Sequence, residues 1–295
     1  MTIHDAEFPV ERAKSLIETA LDEDLGVGEP VDVTTLATIP VDQSATAHVV
    51  ARAPGVVAGV QVIDLVLGAV TERLATAPVR VDVCVDDGDG VGRGDVIAVL
   101  EGSARAILIA ERTVLNLLCR VSGVATHTRL WADEVAGTGC RVLDTRKTTP
   151  GLRALEKYAV RAGGGSNKRM GLFDVAMIKD NHKLAAGSIS AAFESVRRAY
   201  PDVTIEVEAT TTDEALEAVR AGARFLLLDN MSTEVLMETV LAVRGTNQVV
   251  ELEATGGLTL EVAREVAMTG VDFLSVGSLT HSSPILDLAV DIVSG

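Results

Sequence analysis

Five of the chain's six lysines, Lys147, Lys157, Lys168, Lys179 and Lys183, fall in one stretch, and only Lys14 lies elsewhere. Arg146, Arg153, Arg161 and Arg169 join them, against only Glu156, Asp174 and Asp180. A chain of formal net charge −16 has thus gathered one basic patch. Fixed charges of one sign around a cleft attract and concentrate anionic small molecules. Arg153, Lys157 and Arg161 are four apart, so a solvated helix face also accounts for them. Arg146, Lys147 and Lys179 abut apolar, strand-like runs, where that account is poorer.

The acidic groups form a second set. Glu206 and Glu208 point to the same side of a candidate strand, as do Glu251 and Glu253. Carboxylates aimed into an interior are costly unless paired. Lys147 and Lys179 are candidate partners, and a structural salt-bridge layer is an alternative. Magnesium is another, because it takes one or two carboxylates together with substrate phosphates. Thr255-Gly256-Gly257 and Gly277-Ser278 each follow an apolar strand and precede a helix. Backbone N–H groups at such turns suit a phosphate. The three groups together describe a ligand carrying a phosphate, a metal-chelating polyphosphate and further carboxylates.

The elements that must position these residues have two textures. An amphipathic helix is predicted over residues 10–25, with Ala13, Leu16, Ile17, Ala20, Leu21 and Leu25 on one face, ended by Gly26, Gly28 and Pro30. VDVTTLATIP then reads as strand and turn. From Ala45 to about Leu100 the chain is β in character, with turns at DDGDG and GRGD and one helix near Gln61–Ala75. That pattern resembles a lipoyl or biotin carrier, but there is no lysine between Lys14 and Lys147 to attach the group. Residues 104–135 read as one long helix carrying Glu111, Arg112 and Asn116.

After Gly137 strands and helices alternate. Candidate strands are Arg141–Thr145, Val175–Asp180, Thr204–Ala209, Phe225–Asp229, Val249–Ala254 and Phe273–Gly277. Candidate helices are Leu152–Ala162, Ile189–Tyr200, Thr212–Ala221, Thr233–Arg244, Thr259–Met268 and roughly Pro284–Ile292. Apolar strands alternating with helices mean a parallel sheet. Six such units without a nucleotide-type Gly-x-Gly-x-x-Gly favour an incomplete α/β barrel. Chemistry in that architecture sits at the C-terminal strand ends, where Asp144, Arg146, Lys147, Lys179, Asp180, Asp229 and Asn230 fall.

Composition excludes several classes. A hydrophobic share of 47% with 23% charged residues is enough for an ample core. The aromatic share is only 3% and the balance acidic, which argues against nucleic-acid binding. Cys84, Cys119 and Cys140 are widely spaced and suggest neither a disulfide framework nor a zinc site. The acidic start lacks an apolar signal region, and no run approaches the roughly 18 apolar residues of a membrane span. A cytoplasmic protein is the expectation.

The longest runs, DTRKTTPGLRALEKYAVRAGGG and MIKDNH, together with Glu23-Asp24-Leu25-Gly26, Asp32-Val33-Thr34-Thr35, Ala110-Glu111-Arg112-Thr113, Leu115-Asn116, Ser122-Gly123-Val124-Ala125-Thr126 and Ser275-Val276-Gly277, closely resemble the quinolinate phosphoribosyltransferase family over nearly the whole chain. The resemblance implies an N-terminal α/β sandwich domain (1–120), an open α/β-barrel domain (121–282), and a C-terminal helix (283–295) packing back on the first domain. It implies transfer of phosphoribosyl from phosphoribosyl pyrophosphate to quinolinate, with decarboxylation, in NAD biosynthesis. It also implies a homodimer whose N-terminal domains each close the partner's site. Quinolinate would be held by Arg146, Lys168, Arg169 and Lys179, with Arg112 from the partner. Lys147, Glu208 and Asp229 would serve catalysis and phosphoribosyl pyrophosphate, with Glu208 and Asp229 near magnesium. Thr255, Gly256, Gly257, Gly277 and Ser278 would hold the sugar phosphate.

Two positions depart from the family's usual pattern. Asn167-Lys168-Arg169 stands where Asn-His-Arg is usual, and Thr255 replaces a serine. A permanent cation at Lys168 is expected to keep or strengthen attraction for a dicarboxylate. Two other readings stay open at this level. One is a related phosphoribosyltransferase with another pyridine or pyrimidine carboxylate as acceptor. The other is a Schiff-base lyase using Lys179.

Overall fold

A computed structural model describes residues 7–28 and 31–293; the first six residues, Glu29, Pro30 and the last two residues lie outside the described residues, and with them the expected helix stop at Pro30. The chain divides into two compact units that are not contiguous in sequence. The first takes Met1–Arg129, Thr148–Gly164 and Leu279–Gly295, and the second takes Leu130–Lys147 and Gly165–Ser278.

In the first unit, helix α1 (Val10–Leu25) buries Ala13, Ile17, Leu21 and Leu25 at helical spacing. Helix α2 (Val33–Thr38) replaces the expected strand and turn. Asp32 decides this: one carboxylate oxygen accepts from the N–H groups of Thr34 and Thr35, both at 3.0 Å, capping a turn whose β-branched residues suggest a strand. Strands β1 (Ser44–Ala51), β2 (Gly55–Val56), β3 (Arg80–Val83), β4 (Gly90–Val91) and β5 (Val96–Ser103) follow, with α3 (Gln61–Leu74) after β2. Helix α4 (Ala104–Glu134), of which the part up to Arg129 belongs to this unit, and helix α5 (Arg153–Ala162) follow. Ile17 and Leu21 share a core with Val49 and Ala51 of β1, Ile63 and Leu67 of α3, and Ile97 of β5.

The expected C-terminal helix is instead a strand, Leu288–Val293, paired antiparallel with β1 from Leu288↔Ala51 to Val293↔Thr46. Its main-chain groups extend the four-stranded sheet, in which β1 also pairs with β5 and β5 with β3. Asp291 receives two bonds from the Arg52 guanidinium, at 2.6 and 2.8 Å. On α5, Glu156 is fully buried and accepts from Arg120 at 2.7 Å, and Lys157 is 2% exposed, so this helix does not present its charges simply as a solvated face.

The second unit is a parallel sheet wrapped by helices. Its strands are β6 (Arg141–Leu143), β7 (Val175–Ile178), β8 (Thr204–Ala209), β9 (Phe225–Asp229), β10 (Glu251–Thr255) and β11 (Phe273–Ser275). They lie in the order β6-β11-β10-β9-β8-β7. β6 and β7 are the edges, and among the described residues no strand pairing joins them, so the barrel is open. Ser166 extends past β6 through one parallel bridge to Leu143.

Helices α6 (Asp180–Ala186), α7 (Ile189–Ala199), α8 (Thr212–Ala221), α9 (Thr233–Arg244) and α10 (Leu260–Ala267) connect the strands. Ser188, Thr211 and Ser232 cap three of them with their hydroxyls. α6 begins where the expected strand would run on to Asp180. The chain turns at Lys179, whose N–H donates to His182 Nδ1 at 3.0 Å and so starts a helix. No helix among the described residues is long and apolar enough to cross a membrane.

Candidate active site

The C-terminal ends of the parallel strands carry a buried ionic cluster and, beside it, a more exposed set of charges. The buried cluster begins at Asp144, which follows β6 and has no exposed surface. Its carboxylate accepts from Asn167 Nδ2 at 2.6 Å and from the Lys168 backbone N–H at 2.9 Å. The Lys168 side chain then runs inward. Its ammonium lies 2.5 Å from Glu253 Oε1 and 2.7 Å from Glu206 Oε1, with both glutamates fully buried. It also sits 6.0 Å from the centre of the Phe225 ring.

Burial works against the Lys168 charge, but Glu253 and Glu206 outweigh it and hold its pKa above the ordinary lysine value. Burial first, and then the charge of Glu253, push Glu206 up to about 8. Lys168, expected to attract the substrate's carboxylates, has its ammonium between two carboxylates of its own sheet. Two inward-facing acids in a low-dielectric interior require a nearby cation, and Lys168 supplies it.

Arg169, the next residue, is half-buried and donates to the Val175 carbonyl at 3.1 Å. Burial, and then the like charge of Arg146, hold its pKa below the ordinary arginine value. Two guanidinium groups near enough to disfavour one another make a place that an anion would stabilise. Lys147 is exposed, and its N–H donates to Thr145 Oγ1 at 3.0 Å.

Across the sheet, the Lys179 ammonium lies 2.6 Å from Glu208 Oε2. Asp229 is half-buried, and burial together with the Glu208 charge raises its pKa. Asn230 donates to Asp229 at 2.9 Å from a left-handed backbone, φ +54°. Lys183, counted in the basic patch but given no site role by sequence reasoning, is a hub of contacts beside them. Its ammonium reaches Asp180 at 2.7 Å, Glu214 at 3.0 Å and the Glu208 carbonyl at 3.2 Å. The available signal was its place three residues after Asp180, on the first turns of α6.

Gly256 adopts φ +93°, and a Cβ there would lie 2.3 Å from Asn230 Oδ1 and 2.8 Å from the Asn230 nitrogen. Gly257 follows at φ +59°. Thr255 ends β10, and the half-buried Gly277 and Ser278 follow the adjacent β11. Arg112 belongs to the first unit, exposed on α4.

Among the described residues no three His, Cys, Asp or Glu side chains are grouped to hold a metal ion. Glu208 and Asp229 supply two neighbouring carboxylates, one already engaged by Lys179. That donor set fits a hard cation which takes most of its ligands from substrate oxygens and water.

The family model for the quinolinate phosphoribosyl transferase N-terminal domain matches residues 32–122, and the model for the C-terminal domain matches residues 124–291. The chain is 45% identical to the nicotinate-nucleotide pyrophosphorylase [carboxylating] of Mycobacterium leprae, over 98% of this chain and 100% of the relative. It is 40% identical to quinolinate phosphoribosyltransferase [decarboxylating] 1 of Nicotiana glauca, over 99% of this chain and 85% of that one. The solved nicotinate-nucleotide pyrophosphorylase from Francisella tularensis superimposes with a TM-score of 0.88 at 34% identity, covering 97% of this chain and 98% of that one.

Proposed function

The chain belongs to the quinolinate phosphoribosyltransferase family, and from that premise we propose how its residues divide the work of the reaction. The enzyme transfers phosphoribosyl from phosphoribosyl pyrophosphate to quinolinate and releases pyrophosphate and carbon dioxide, giving nicotinate mononucleotide for NAD synthesis. The quinolinate ring nitrogen forms a bond to the anomeric carbon as the bond to pyrophosphate breaks. The bond from C2 to the 2-carboxylate then breaks to release carbon dioxide, and its electron pair stays at C2 beside the now cationic nitrogen. C2 takes up a proton from solvent water to give the product.

Arg146 and Arg169 orient the two carboxylates; the planar guanidinium fork suits them better than an ammonium does. What supports this assignment is the place of Arg169, half-buried and donating to the Val175 carbonyl at 3.1 Å, where the like charge of Arg146 also bears on it. Lys179 adds a third cation, and its engagement with Glu208 suits a charge contact better than the nucleophile of a Schiff-base lyase. Lys147, exposed after β6, neutralises the pyrophosphate as it departs. Glu208 and Asp229 position the ribose hydroxyls and stabilise positive charge developing on the sugar. The positive-φ turn at Gly256 and Gly257, with Thr255, Gly277 and Ser278, offers N–H and hydroxyl donors to the 5-phosphate.

Magnesium is the proposed cofactor, held by Glu208 and Asp229 with the substrate's pyrophosphate, and it supplies charge neutralisation of that leaving group. The working form is a homodimer in the cytoplasm, in which Arg112 of one protomer completes the quinolinate site of the other. The test is measurement of carbon dioxide and pyrophosphate from quinolinate and phosphoribosyl pyrophosphate, with magnesium and with chelator. Equal release of both, abolished by chelator, is the expected result. Release that ignores the chelator removes magnesium, and a monomer of full activity removes the shared site.

A further inference from the structure

We infer that Lys168 is a positioning residue for substrate binding, strapping residues 165–169 to the interior of the sheet so that Arg169 is fixed beside Arg146. The inference rests on the reading of Arg169 as a carboxylate contact.

The segment it anchors is neither helix nor strand and lies at the open edge of the barrel, beyond β6. Three links hold it. Ser166 donates to the Val142 carbonyl at 2.8 Å and accepts from the Asp144 N–H at 3.2 Å. Asp144 takes the Asn167 amide and the Lys168 N–H on its two oxygens. The Lys168 ammonium closes on Glu206 of β8 and Glu253 of β10, two strands separated in the sheet by β9. The first two links fix the segment to one edge strand. The third ties it across the sheet's inner face, and it acts on the residue directly before Arg169.

This strap is costly to build. One ammonium buried between two carboxylates is weak as a stabilising device, because apolar side chains of similar volume often serve stability as well or better. Such a cluster does hold the adjoining residue in an exacting position. Arg169 follows directly: its guanidinium is half-buried against β7, donating to the Val175 carbonyl at 3.1 Å and lying 3.3 Å from Met177 Sδ. It feels the like charge of Arg146, which an untethered loop would relieve by moving away.

Steady-state kinetics on the full-length enzyme test this, with thermal unfolding recorded for each variant. Lys168→Met is expected to raise the KM for quinolinate about tenfold or more, with the KM for phosphoribosyl pyrophosphate and kcat changed far less. Glu253→Gln, isosteric and leaving the Glu206 contact, is expected to raise it in the same direction. The two effects should be less than additive in the double variant, because they break one strap.

If Lys168 instead contacts quinolinate, releasing its ammonium by Glu253→Gln lowers that KM, which overturns the inference. Folded variants with unmoved KM overturn it too. Should Lys168→Met fail to fold, the sign of the Glu253→Gln effect decides alone. Arg169→Ala with an unchanged quinolinate KM would instead remove the carboxylate-contact reading, and the strap with it.

Discussion

The Lys179 ammonium meets the Glu208 carboxylate at 2.6 Å, the lysine side chain 47% exposed and the glutamate 8%. The family resemblance assigns these residues to different substrates, quinolinate and phosphoribosyl pyrophosphate, and here each occupies the other. On the proposed assignment, a substrate carboxylate arriving at Lys179 would compete with Glu208 and so free the glutamate for the sugar or the metal. Glu208→Gln is therefore predicted to split the kinetic constants. kcat should fall by about a hundredfold, the scale of removing one preorganised charge contact. The KM for quinolinate should hold or decrease, because Lys179 loses its competitor. Initial rates with each substrate varied in turn check this; a raised quinolinate KM would contradict it.

Gly256→Ala should strike the sugar-phosphate side. The new methyl would come 2.3 Å from Asn230 Oδ1, on a backbone already at φ +93°. Asn230 must then shift, and it is the group that donates to Asp229 at 2.9 Å. The expected cost is about 1–3 kcal/mol in stability. With it comes a loss of kcat/KM for phosphoribosyl pyrophosphate of about tenfold or more, since the catalytic groups would be misplaced by a fraction of an ångström. A quinolinate KM that moves more than the phosphoribosyl pyrophosphate KM would show the turn to serve the other substrate.

Arg146→Lys separates charge from shape. Both side chains are cationic, but only the guanidinium presents a rigid pair of donors to a carboxylate. A rise of about tenfold in the quinolinate KM is expected, equivalent to the loss of one charge-assisted hydrogen bond. An unchanged KM would mean that position 146 supplies potential only.

Much of the second unit was legible because its strands are short apolar runs bounded by capping residues. Thr204–Ala209, Phe225–Asp229, Thr212–Ala221 and Thr233–Arg244 fall where periodicity predicts them. The last strand was not legible. LDLAVDIV places apolar residues at spacings that suit a helix as well as alternation, and pairing with β1 decides between them. The same limit hid α2, whose cap at Asp32 overrides its β-branched residues. At the site, sequence reasoning found the charged residues and the pairing of Lys179 with a strand carboxylate, Glu208, but not the pairing of Lys168. Lys168 and Glu253 are 85 positions apart, and nothing local says that an ammonium beside Arg169 turns inward.

The buried acid pair should also leave a signature in stability. Glu206 is held up to about 8 from an ordinary 4.5, so over the pH range between those values the folded state binds more protons than the unfolded state. Stability from this group is therefore full below pH 4.5 and is lost as pH rises through the folded value. An uncharged amide at this position mimics the protonated acid at every pH. The Glu206→Gln variant should thus match the parent near pH 4 and become progressively more stable than it as pH rises toward about 8. Thermal unfolding of both proteins across that range measures the difference. Parallel curves would mean that Lys168 keeps both carboxylates ionised and that no proton is stored between them.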